Sequence, residues 1–100
     1  MSDNALNVLV GWFERRRSTY DALGIKVSIT WGPSDRNPRS AWLDYETEEH
    51  SARLIVWSNG QADLTAGNFV KKEVLLDEHR EITTEQDLDK AERAILPALT

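Results

Sequence analysis

Apolar positions recur along this chain with two different periods, and the changes of period divide it into helix, strands and helix. Leu6, Leu9, Phe13 and Tyr20 recur at helical spacing and predict an N-terminal helix with one buried stripe. Asp3 or Asn4 is placed to cap its start, Leu23 flanks the stripe, and Gly24 is placed to end the helix in a left-handed conformation. Trp12 falls to one side, four residues before Arg16 and within reach of a cation–π contact. Arg15, Arg16 and Arg17 are spread around the helix by ~100° per residue, so they read as ordinary helix surface and not as a basic patch.

The period then changes to two. Ile25, Val27, Ile29 and Trp31 alternate with Lys26, Ser28 and Thr30, the mark of a half-buried strand. Gly32–Arg39 is a loop by composition. In the run Ser40–Glu46, Ala41, Leu43 and Tyr45 share one face while Trp42, Asp44 and Glu46 share the other. In the next run Ala52, Leu54 and Val56 are opposed by Arg53, Ile55 and Trp57. Pairing Tyr45 with Ala52, Leu43 with Leu54 and Ala41 with Val56 keeps the apolar face together, and sets Asp44 opposite Arg53 and Trp42 opposite Ile55.

At Ser58-Asn59-Gly60 two hairpin loops compete. A two-residue Asn-Gly loop would turn Ala62, Leu64 and Ala66 to the tryptophan face. A three-residue loop with Gly60 left-handed pairs Val56 with Ala62 and Leu54 with Leu64. The apolar pattern selects the second, because a slip of one residue exchanges the two faces. Asp63 and Thr65 then join the tryptophans. Gly67-Asn68 marks another turn, and Val70, Val74 and Leu76 a less regular fifth strand. Thr83 with Gln86 has the capping-box form, with Thr84 a competing cap. Leu88, Ala91 and Ile95 define one face of a second helix, which Pro97 closes. The fold class is α+β: N-terminal helix, five-strand antiparallel meander, C-terminal helix, with both helices packed on one sheet face and residues 1–100 forming a single domain.

Composition narrows the function. No apolar stretch approaches the length of a membrane span, and Met1-Ser2-Asp3-Asn4 has no secretory character. With no cysteine, disulfides and thiolate chemistry are excluded, and a cytoplasmic location is expected. A net charge of −5 argues against nucleic-acid binding, which depends on neutralising phosphates. The acids cluster in two stretches: Asp44, Glu46, Glu48 and Glu49, then Asp77, Glu78, Glu81, Glu85, Asp87, Asp89 and Glu92. They read either as a solvated surface or as one that steers a basic partner.

Catalytic constellations are not visible. His50 and His79 sit among carboxylates outside any nucleophile motif. Asp77, His79 and Glu81 alternate as three metal ligands would, but at positions that read as a solvated strand end. Asp44 and Glu46 lack the pocket that would separate the pKa values of two acids. The chain therefore reads as a non-enzyme with no cofactor and no metal. Its candidate partner-binding residues are Trp42, Asp44, Glu46, Arg53, Ile55, Trp57 and Asp63: large aromatics rimmed by charge on a solvent-side face. Three structural alternatives would cover those tryptophans: the Gly32–Arg39 loop, the second helix crossing over, or a homodimer.

Three segments carry a family resemblance: Leu6-Asn7-Val8-Leu9-Val10-Gly11-Trp12-Phe13, Val56-Trp57-Ser58-Asn59-Gly60-Gln61-Ala62-Asp63, and Leu75-Leu76-Asp77-Glu78-His79-Arg80-Glu81-Ile82. Their layout in a short acidic domain resembles the small bacterial immunity proteins of polymorphic-toxin systems, the TriTu immunity family among them. The resemblance implies a cytoplasmic protein that binds one cognate secreted toxin effector domain and blocks its active site. It transfers no catalytic residues. Separately, the acidic rim around the aromatic anchors would complement a toxin with a basic active-site cleft. The alternative class is a cytoplasmic adaptor or secretion chaperone that binds another bacterial protein.

Overall fold

The computed structural model describes residues 4–35 and 37–99. Helix α1 (Asn4–Leu23) leads into strands β1 (Lys26–Trp31), β2 (Ser40–Glu46), β3 (His50–Trp57), β4 (Gln61–Asn68) and β5 (Glu73–Glu81), and helix α2 (Glu85–Ala98) follows. The five strands form one sheet in the order β1-β2-β3-β4-β5, each antiparallel to its neighbours, so the α+β meander read from the alternation is the architecture observed. The expected cap at Asp3, or by the Asn4 side chain, lies outside the described residues. Gly24 ends α1 as expected, with φ 74°; its N–H bonds the Asp21 carbonyl at 3.1 Å, and Ile25 donates to Tyr20 at 3.0 Å.

Strand register follows the apolar positions. Leu43 pairs with Leu54 and Leu54 with Leu64, and none of the three retains exposed surface. The next rows, Tyr45–Ala52–Ala66 and Ala41–Val56–Ala62, are also buried. Leu6, Leu9, Phe13 and Tyr20 of α1 and Leu88, Ala91 and Ile95 of α2 belong to the same core cluster, so both helices cover this inner face. The three-residue loop is confirmed by Gly60, which takes φ 90° and donates to the Trp57 carbonyl at 2.9 Å. A side chain there would be strained in the left-handed region.

Departures from the expected boundaries have local causes. Gly67-Asn68 is not a turn but the end of β4, at a β-bulge. A Cβ on Gly67 would lie 2.5 Å from the Glu73 carbonyl oxygen, so the bulge requires the close backbone approach that glycine permits. The turn lies beyond it. Asn68 Oδ1 accepts from the N–H groups of Val70 and Lys71 at 3.0 and 2.8 Å, which holds the reversal. Val70 therefore belongs to the turn, and β5 extends to Glu81. Helix α2 is capped by the competing Thr84. Its hydroxyl accepts from the Asp87 N–H at 3.3 Å, and the Asp87 carboxylate accepts from the Thr84 N–H at 3.2 Å. Asp87 reaches back because it sits three residues after Thr84. Pro97 does not close the helix, which runs to Ala98.

Several polar side chains also serve the core. Trp12 is buried and donates its indole N–H to Asp89 at 2.9 Å, instead of stacking with Arg16. Arg16 is no ordinary surface residue. Its Nε and Nη2 bind the buried Glu92 carboxylate at 3.0 and 2.6 Å, and its guanidinium lies over the Tyr20 ring. Tyr20 donates its hydroxyl to Glu92 at 2.5 Å, which leaves the Tyr45 hydroxyl to donate to Tyr20 across 3.2 Å. Burial holds both phenols protonated by raising their pKa values, and the Glu92 hydrogen bond raises that of Arg16.

Leu54→Ala should cost about 2–5 kcal/mol, the usual range for a cavity at a fully buried leucine, measured as a fall in urea midpoint. An unchanged midpoint would mean that the inner face has been misassigned. A second expectation concerns acid. Hydrogen bonds from the backbone N–H groups of Thr83 and Thr84 hold the Asp87 pKa below its ordinary value. A lowered folded-state pKa contributes stability that is complete well above about pH 4 and is lost as pH falls through the folded value. Asp87→Asn should therefore flatten the acid limb of stability against pH. An acid limb parallel to that of the wild type would exclude this cap as a source of acid sensitivity.

Candidate partner-binding face

With both helices on the inner face, the opposite side of the sheet is left uncovered, and strand parity decides what it carries. Trp42 faces Ile55, Ile55 faces Asp63 and Asp63 faces His79, with Thr30 at the β1 end of the row. The adjacent row runs Ser28, Asp44, Arg53, Thr65, Asp77. Glu46 lies beyond it, opposite Ser51, and Trp57 lies at the other end, opposite Ser40. All seven candidate residues thus share the outer face.

Trp42, Ile55 and Trp57 are half-buried, although no helix reaches them. Trp42 owes part of its cover to Arg53, whose guanidinium lies 5.4 Å from the ring centroid and also donates to Asp44 at 2.7 and 3.4 Å. Gly32 abuts the ring edge, where a Cβ would lie 3.4 Å from Trp42 Cζ3. The far end of that loop is tied to the β3–β4 turn, with Arg39 and Ser58 exchanging hydrogen bonds at 2.7 and 3.1 Å. Of the three covers considered for the tryptophans, α2 lies on the opposite side of the sheet, and the loop approaches the edge of Trp42 at Gly32.

Sequence reasoning missed two members of the face. His79 Nδ1 lies 2.6 Å from Asp63, and its Nε2 lies 2.6 Å from the Gln61 amide oxygen. The signal was present: His79 shares parity with Asp77 and Glu81, but without the β4–β5 register it had no partner. Among the described residues no group of three His, Cys, Asp or Glu side chains is arranged to hold a metal ion.

The face is acidic. It carries Asp44, Glu46, Asp63, Asp77 and Glu81 against Lys26 and Arg53. Asp44 and Asp63 are engaged within the face, by Arg53 and His79. Two members of the acidic clusters are tied to α1: Glu92 is buried on Arg16, and the half-buried Asp89 accepts from Trp12. The exposed large apolar side chains include Phe69, Val70, Val74 and Leu75 around the β4–β5 turn and Trp31 on β1. Of these, Val74 pairs with Gly67 and ends the outer-face row that runs through Glu46 and Ser51.

A family model described as Immunity protein TriTu matches residues 7–96, nearly the full span from α1 through α2. The chain belongs to the TriTu immunity family. No curated protein matches it. TriTu proteins are non-enzymatic inhibitors, and membership implies a cognate toxin as partner. An uncovered sheet face with aromatic side chains inside a charged border is a geometry suited to protein contact. No helix among the described residues is long and apolar enough to cross a membrane.

Proposed function

We propose that this TriTu protein neutralises a secreted toxin domain of a polymorphic-toxin system by laying its outer sheet face over the toxin's active site. The observation that carries the reading is the one-sided cover of the sheet, which leaves Trp42, Ile55 and Trp57 without a helix above them. Tryptophan is among the residues most often found as an energetic anchor at interfaces, and a border of charge selects orientation and speeds encounter. The excess of carboxylates favours a toxin with a basic cleft, as expected of one that acts on a nucleic acid or nucleotide. In this reading the encounter is cytoplasmic, and Asp44, Glu46, Arg53 and Asp63 frame the aromatic anchors. The adaptor or chaperone alternative has no observation in its favour that the toxin reading lacks.

Trp42→Ala and Trp57→Ala should each weaken toxin binding by about 2 kcal/mol or more. Their cost to stability should be near the ordinary value for half-buried positions, about 1 kcal/mol. Titration calorimetry and urea unfolding measure the two quantities separately. Folded variants that bind as tightly as wild type would remove the tryptophan face from the interface. The acidic border carries its own expectation: raising salt from low to physiological should slow association much more than it speeds dissociation. Stopped-flow association rates that stay flat with salt would eliminate steering and leave the aromatic contact standing.

A further inference from the structure

The two free edges of the sheet are built differently. On β5, six of nine residues are Glu, Asp, Arg or His, a density of charge that discourages strand pairing. On β1 only Lys26 is charged, and the remaining residues, Val27, Ser28, Ile29, Thr30 and Trp31, are largely β-branched or aromatic. The α1 residues Val10 and Phe13 stand beside this edge, and with Val27, Ile29 and Trp31 they line a groove whose rim carries the Glu14–Arg17 pair. Trp31 is 44% exposed within it.

The backbone of β1 selects what can fill the groove. Gly32 donates to the Ser40 carbonyl at 2.8 Å, so in the antiparallel pattern the even-numbered residues bond to β2. Val27, Ile29 and Trp31 then present their N–H and C=O groups outward. We propose that a second copy of this chain pairs with β1 across a two-fold axis through Ile29, joining two five-strand sheets into one. In that register Ile29 faces Ile29, Val27 faces Trp31 and Ser28 faces Thr30. The outward residues form the hydrogen-bonded pairs, as the pattern demands. Lys26 meets Gly32, so no like charges are opposed, and each tryptophan meets a β-branched side chain, a favourable cross-strand pair. The register one residue away, centred on Ser28, would need the Ile25 N–H, which is already donated to Tyr20. Because Ser28 and Thr30 lie on the outer face, the pairing extends the Trp42 surface and does not cover it.

The test uses the free protein, so its outcome does not depend on the toxin reading. Sedimentation of the wild type from low micromolar to near-millimolar concentration should reach twice the mass of one chain. Amide exchange at Val27, Ile29 and Trp31 should slow as concentration rises. The double variant Ser28→Lys/Thr30→Lys puts lysines opposite one another across the axis, and Ser28→Glu/Thr30→Glu does the same with carboxylates. Both changes are solvent-facing, so each variant should fold and sediment as a single chain, and an equimolar mixture should restore the dimer. A wild type that remains one chain throughout, or a lysine variant that still dimerises, would overturn the proposal. So would protection of the β1 amides that arises only when the toxin is added, since that would give the edge to the partner.

Discussion

The packed row Leu43–Leu54–Leu64 is the constraint on which the other features depend. Side chains alternate across a sheet, so placing these leucines inward sends Trp42, Ile55 and Asp63 outward in the same step. The three-residue loop at Gly60 transmits that parity from β3 to β4. A loop shorter by one residue would bring Asp63 and Thr65 inward, where nothing apolar could replace the lost leucine contacts. The composition of the outer face is thus a consequence of core packing, and the core in turn relies on a single left-handed glycine to keep its rows aligned.

The second organising element is Glu92. Its carboxylate joins Arg16 and Tyr20 of α1 to its own helix α2, and through Tyr20 it reaches Tyr45 of β2. Breaking such a pair leaves a buried charge without compensation, so its members are constrained together. The Tyr20 and Tyr45 rings add an edge-to-face contact with centroids 5.4 Å apart. Trp12 to Asp89 forms a parallel tie between the same helices. These directional contacts fix how the helices sit on the sheet, which apolar burial alone leaves loosely determined.

The same one-sided architecture supplies two surfaces of different character. The outer face is polar and acidic with aromatic residues set into it, and it is the surface proposed for recognition. The β1 edge is nearly uncharged and offers backbone groups, whereas the charged β5 edge resists pairing. An inhibitor family needs affinity for one partner without indiscriminate association. Charge on β5 and internal pairing of Asp44 with Arg53 and Asp63 with His79 both limit what the surface will accept.

The amino-acid sequence by itself determined the order of elements, the β2–β3 register, the choice of loop at Gly60 and which residues of β2 and β3 face outward. Each rests on local period and side-chain parity, which neighbouring residues specify. The family likeness was legible too, through segments near both ends and in the middle. The tertiary structure alone decided the roles of Trp12, Arg16, Asp89 and Glu92, because their partners lie more than seventy residues away along the chain. It also decided the turn beyond Asn68, where the bulge at Gly67 depends on how closely β5 approaches, and the pairing of His79 with Asp63 and Gln61. Charged and aromatic side chains look alike in a linear pattern whether they end in solvent or on a distant helix, and only packing distinguishes the two.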